Sequence, residues 1–343
     1  MKHALTAILA VMLLAAASCA QRGELPAPAN AVYWWKTVWS PDSAEYGFIA
    51  RHKIEKIYMR FFDVVPATNS TTPQPVATIK INAPTANLKI IPTVFITESC
   101  MNLNIDKMPK MLAYRVLQMC ETNDIVDVDE IQIDCDWTSS SQQKYFDFLS
   151  RLREILHGKG IRLSATIRMH QLRMAPPPVD YGTLMVYNTA SLTQLPLRTN
   201  PILSYSDALP YIKNIKNYDL ALCAAYPDFS YNLLYSDNLA LRAILYNEDT
   251  ADSSKYRRIS DNEYISIANR LTPNSPEPGS GITQINYGDH LMIYKADFEQ
   301  IEKTKAAIEG IRPDIAAQTI IYDLNSRNIN NLTNEQYEKI LSH

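Results

Sequence analysis

Apolar positions recur along this chain with two alternating periods. Short runs rich in Val, Ile, Tyr and Trp, with period-2 alternation, give way to longer stretches with apolar residues three and four apart. The first kind marks strands at Ala31–Trp39, Lys56–Val64, Lys89–Ile96, Glu130–Trp137, Arg162–Arg168, Thr183–Tyr187, Leu220–Ala225 and Thr319–Asp323. The second kind predicts helices over Ser43–His52, Lys107–Thr122 and Phe298–Ile311. The clearest helix carries Tyr145, Phe148, Leu149, Leu152, Ile155 and Leu156 on one stripe, with Gly158 and Gly160 beyond its end. A last helix begins at Thr333, where Gln336 completes a capping box.

Eight strands with helices between most pairs predict an α/β fold, a (β/α)8 TIM barrel, with an open doubly wound sheet as the alternative. Residues 31–343 read as one such domain, with a long insertion between strands 7 and 8, about 227–297. That stretch is rich in Tyr, Asn, Asp and Ser; a helix is expected at Glu263–Leu271 and a hairpin strand at His290–Lys295. A connection this long is usually functional.

The amino terminus follows a different rule. Lys2 precedes an apolar run from Ala4 to Ala17, broken by Thr6, and Ala16-Ala17-Ser18-Cys19 resembles a bacterial lipobox. Residues 1–18 are expected to be a cleaved signal, Cys19 the lipidated first residue, and 19–30 a tether. An ordinary signal followed by a chance Cys is the alternative. The protein is thus expected outside the cytoplasm, held by lipid to a bacterial membrane, the outer membrane being the expected one.

Composition removes other classes. A formal net charge of −3 with no basic stripe argues against nucleic acid as a partner. Nine glycines, and no Gly-x-Ser-x-Gly, Walker or Gly-x-Gly-x-x-Gly motif, argue against a nucleotide cofactor, and no cofactor is expected. No ligand spacing supports a metal at Asp134, Asp136 and His170, and none of the cysteines forms a Cys-x-x-Cys pair. Cys135 and Cys223 read as buried thiols, while Cys100 and Cys120 could pair.

Function in such barrels gathers at the carboxyl ends of the strands. Polar residues fall there: Asp63, Glu98, Asp134 and Asp136, Arg168 and His170, Tyr187 and Asn188, Tyr226, Asp323 and Asn325. Strand alternation puts Gln132, Asp134 and Asp136 on one face and Ile131, Ile133 and Cys135 on the other. Two inward carboxylates need a partner, and Arg168 or His170 on the next strand is the natural one. The run Ile133-Asp134-Cys135-Asp136-Trp137 resembles the fourth-strand signature of family-18 glycoside hydrolases, the chitinase-like enzymes, Asp-x-x-Asp-x-Asp-x-Glu. Met185-Val186-Tyr187-Asn188 is similar to their Met-x-Tyr-Asp. The whole chain also looks like lipoproteins of gut Bacteroidales that carry such a barrel.

The resemblance implies a glycan or polysaccharide ligand. It also places the family's first Asp on Ile131 and its catalytic Glu on Thr138, and a threonine cannot protonate a glycosidic oxygen. Three readings follow. In the first, the protein acts on glycans with a non-standard acid and base drawn from Asp134, Asp136 and Glu98, or from Asp136 with Asp323. In the second, it is a non-catalytic binder: Trp34, Trp35, Trp39, Trp137 and the Tyr-rich insertion offer flat faces for sugar rings, and Arg168, His170, Tyr187, Asn188, Tyr226 and Asp323 hold the sugar. In the third, the barrel is a scaffold for envelope assembly.

Overall fold

The computed structural model describes residues 25, 27–68, 70–85, 87–192, 199–246, 249–250, 252–275 and 281–342. The expected signal and Cys19 lie outside them. Eight parallel strands close into a ring: β1 (Asn30–Trp34), β2 (Ile54–Pro66), β3 (Lys89–Ile96), β4 (Glu130–Asp134), β5 (Arg162–Arg168), β6 (Tyr181–Met185), β7 (Leu222–Pro227) and β8 (Thr319–Tyr322). Each pairs with its sequence neighbours, and β8 pairs with β1 through Ala31 opposite Ile320 and Val32 opposite Ile321. Such closure leaves no strand edge in the ring. Around it lie α1 (Ser43–Arg51), α2 (Met108–Thr122), α3 (Gln142–His157), α4 (Tyr205–Ile212), α5 (Phe298–Ile311) and α6 (Asn334–Leu341).

Strand alternation divides the apolar residues into two bodies. Ile131, Ile133, Cys135, Leu163, Ala165 and Ile167 face the helices and pack on Tyr145, Phe148, Leu149 and Leu152 of α3. Ala31, Tyr33, Tyr58, Tyr181, Met185, Cys223 and Ile320 fill the ring itself. Gly182 sits where strands crowd: a Cβ there would lie 2.7 Å from Ile167 Cγ1 and 2.9 Å from Leu222 Cδ2. α6 starts as its cap predicts, the amide of Gln336 donating to Thr333 Oγ1 at 3.2 Å and that of Thr333 to Gln336 Oε1 at 2.9 Å.

The ring's interior is polar at its amino-terminal end. Lys56 Nζ donates to Gln318 Oε1 at 2.7 Å, Gln318 Nε2 to the Tyr58 hydroxyl at 2.8 Å, and Ser164 Oγ to Glu130 Oε1 at 2.6 Å. Higher up, the Tyr33 hydroxyl donates to Gln132 Oε1 at 2.6 Å. All of these groups are buried, and each finds a partner, as buried polar groups must.

Between β7 and β8 the chain leaves the ring. Ser230–Tyr235, Leu241–Leu245, Tyr256–Arg258, Glu263–Ser266 and His290–Lys295 form a five-stranded antiparallel sheet. Arg270–Pro273 and Ile282–Ile285 form a separate two-stranded ladder. The helix expected at Glu263–Leu271 is therefore two strands. Tyr264 and Ile265 pair with Arg258 and Arg257 on one side and with Leu291 and His290 on the other, and those ladder bonds outweigh a chance helical spacing. All four cysteines of the body are free and buried, so Cys100 and Cys120 are not bridged.

Candidate functional site

The mouth of the ring holds a pocket of about 560 Å³. Its floor and near wall come from the strand ends: Trp35 after β1, Arg60 on β2, Asp134 on β4, Arg168 on β5, Tyr187 and Asn188 after β6, and Tyr322 and Asp323 at β8. The loop after β8 adds Asn325, Arg327 and Asn328. The insertion supplies the opposite wall with Tyr231, Ile244 and Tyr246, beside Phe229. Volume and mixed lining are those of a small-ligand site.

Charge in the pocket is organised by arginines. Arg168 Nη2 pairs with Asp134 Oδ1 at 3.2 Å, and its Nε pairs with Asp136. Thr166 Oγ1 also donates to Asp134 Oδ1, at 2.6 Å. Burial pushes the Asp134 carboxyl upward, while Arg168 and Thr166 pull it back. Arg60 pairs with Asp63 through both Nε, at 2.7 Å, and Nη2, donates from Nη1 to the Trp35 carbonyl at 3.2 Å, and lies over the Trp35 ring at 5.5 Å. Asp323 Oδ1 accepts from Asn328 Nδ2 at 2.8 Å, and the Tyr322–Asp323 peptide is cis.

The aromatic residues form a connected wall. Tyr187 stacks on Tyr322 with ring centres 4.9 Å apart, Phe229 meets both edge-on, and Trp35 lies 5.8 Å from Tyr322. Asn188 holds φ at 55°, a left-handed conformation in which Asn is several-fold enriched. Rings presented around a polar floor suit a sugar, whose apolar face stacks while its hydroxyls bond.

Of the residues singled out from the sequence, Asp134, Arg168, Tyr187, Asn188, Asp323 and Asn325 line this pocket together. Asp136 sits two residues past the end of β4 with its side chain 56% exposed, beside the pocket rather than lining it. His170 is in the short 3-10 turn Met169–Arg173, exposed and outside the lining, and burial of its ring lowers its pKa against the pull of Asp136. Glu98 Oε1 accepts from Thr138 Oγ1 at 2.5 Å, Ser141 Oγ at 2.7 Å and the Thr138 amide at 3.2 Å. Those bonds hold its carboxyl below its usual range and tie it to the turn before α3, away from the pocket.

Of the other expected sugar-contacting rings, Trp34 and Trp137 are fully buried outside the pocket, and Trp39 and Tyr226 lie elsewhere too. Trp39 is fully buried against Trp34, ring centres 4.6 Å apart, because β1 ends at Trp34 and Val38–Trp39 pairs instead with Lys80–Ile81. Tyr226 is inside β7, which runs two residues further than expected, and alternation turns it toward the helices while Ala225 faces the ring. Trp35 is among the expected aromatic platforms, and Tyr231 and Tyr246 come from the Tyr-rich insertion that was expected to offer others, whereas Arg60, Arg327 and Asn328 were not foreseen. The Asn-rich run 325–331 directly after β8 was the available signal for the last two.

The closed ring of eight parallel strands with surrounding helices matches the fold of solved chitinase structures. A chitinase from Chromobacterium violaceum aligns with 91% of this chain and 99% of its own at TM-score 0.55 and 12% identity. The C-terminal domain of a putative chitinase from Desulfitobacterium hafniense aligns with 92% and 99% at TM-score 0.52 and 11% identity. The Bacillus cereus spore cortex-lytic enzyme SleL aligns with 92% of this chain and 73% of its own at TM-score 0.50 and 12% identity. No family model matches the chain. No curated protein matches it by sequence.

Proposed function

We propose that this protein is an envelope lipoprotein that binds glycans in the mouth of a chitinase-like barrel and does not hydrolyse them. One observation carries the reading: Arg168 engages both Asp134 and Asp136, so the carboxylates that match the family's fourth strand are spent on one guanidinium. At the position where the family's acid would stand, Thr138 turns its hydroxyl to Glu98 and Ser140. A glycosidase needs one carboxyl held protonated and a second one ionised across the bond to be cut. The aromatic wall and the amide and carboxylate groups of the pocket support binding in its own right. Attachment through Cys19 rests on the lipobox-like run, and Cys19→Ala is expected to move the protein from the membrane fraction to the soluble one.

A second reading is favoured by a specific feature. Asp134 and Asp323 both line the pocket, and burial raises the pKa of Asp134, as a general acid requires. A screen of chitin, peptidoglycan, N-glycan and plant oligosaccharides, read for both binding and new reducing ends, separates the two. Binding with no reducing ends is the expected result. Reducing ends released by the parent and lost in Asp134→Asn would make the protein a hydrolase with a displaced acid.

A further inference from the structure

Three cations among the described residues line the mouth pocket, and they are not equivalent. Arg168 is shared by two aspartates and Arg60 is held by Asp63. Arg327 forms no ion pair among the described residues. It is half-buried in the loop after β8, where its amide and its Nε donate to Asn325 Oδ1 at 3.1 and 3.3 Å. Nη1 reaches the Tyr246 carbonyl at 3.4 Å, and the guanidinium lies 5.7 Å from the Tyr246 ring. Nη2 donates to nothing among the described residues, although a guanidinium offers five N–H donors in a fixed fork.

The loop around this arginine is built rather than loose. Asn325 and Asn328 are each 5% exposed. The Asn325 carbonyl accepts from the amides of Asn328 and Ile329 at 2.8 and 3.1 Å, closing a turn. Asn325 then holds Arg327 while Asn328 holds Asp323, so the loop's two charges are fixed by different asparagines and do not pair with each other. A half-buried cation with no ion pair among the described residues is stabilised by an anion from outside, and a planar fork best meets a carboxylate. Among the described residues only one such cation is available, and Asp134 and Asp323 already line the same pocket, so a single negative charge fits and a doubly charged phosphate does not.

We infer that the pocket selects acidic sugars: a glycan unit bearing one carboxylate, paired with Arg327, while its ring packs on the wall formed by Trp35 and Tyr322. The inference rests on the glycan-binding reading above and adds the class of sugar. Hexuronates, sialic acids and muramic acid share this chemistry, and the test distinguishes them.

The affinity of the full-length protein would be measured for an oligogalacturonate, a sialyllactose and a muramic-acid disaccharide, each beside its carboxyl-reduced or unsialylated counterpart, with chitotetraose as a further neutral sugar. At least one acidic sugar should bind about tenfold tighter than its counterpart, the size of one good charge-assisted contact. That advantage should shrink in about 0.5 M salt, vanish in Arg327→Gln and persist in part in Arg327→Lys. Thermal unfolding of both variants checks that they fold; if the glutamine variant does not, the salt dependence and the lysine variant decide. Equal or tighter binding of the neutral sugars, or an advantage that survives Arg327→Gln, would overturn the inference and leave glycan binding standing. Failure to bind any sugar would overturn both.

Discussion

Two buried aspartates at neighbouring heights of the barrel solve the same problem in opposite ways. Asp134 ends β4, and Asp228 stands one residue beyond β7; both are almost wholly removed from water. Asp134 is met by a guanidinium and a hydroxyl, from Arg168 and Thr166. Asp228 has the Tyr337 hydroxyl donating to Oδ2 at 2.9 Å, and its Oδ1 accepts no hydrogen bond among the described residues. Burial, and then the charge of Asp323, push the Asp228 carboxyl well above the usual carboxylate range, with Tyr337 and nearby amides pulling back. A buried acid with a cation beside it can stay charged; one without a cation is driven neutral. The first belongs to the pocket, and the second braces β7 against α6.

The largest test of this contrast removes the cation. Arg168→Met should cost about 3 kcal/mol in denaturant unfolding, because a buried carboxylate is left without its counter-charge. A loss well under 1 kcal/mol would mean that Asp134 is already neutral and that the two aspartates are alike.

The next test uses pH. The folded-state pKa of Asp228 lies above its ordinary 3.8, so the stability linked to its neutral form is full below that value and is lost as pH rises through the folded pKa. Asp228→Asn has no proton to lose there. Its stability relative to the parent should therefore climb with pH above about 4, by at most about 1.4 kcal/mol per pH unit. Unfolding curves at several pH values between acid and neutral would show it. A flat difference would place a hidden counter-charge at Asp228.

How much of this could be read from the chain follows the same division. The ring was legible because Ile131, Ile133 and Cys135 alternate with Gln132 and Asp134, and a period of two survives any tertiary context. The ends of strands were not. An error of two residues at the end of β7 converts Tyr226 from a rim residue to a helix-facing one, and the early end of β1 takes Trp39 out of the ring altogether. In the insertion, Glu263–Ser266 becomes a strand because His290–Lys295, distant in sequence, lies beside it. Arg168 was identified as a partner for Asp134 by adjacency of strands. Arg60 and Arg327 enter the pocket through ion pairing and loop geometry, which no local period encodes.

The smallest expected effect bears on the residue that the motif made most conspicuous. Asp136 lies past the strand end and pairs with Arg168 while more than half of its side chain faces solvent. An ion pair so placed gains little, because water screens it and the side chains lose freedom in forming it. Asp136→Asn should therefore cost less than about 1 kcal/mol by denaturant unfolding, against the much larger loss for Arg168→Met. A cost as large as that of the arginine variant would show that Asp136, and not only Asp134, carries the charge balance of the mouth. Arg168 would then need both carboxylates to hold its place, and the contrast between a paired and an unpaired acid would become one between a three-membered cluster and a lone carboxyl.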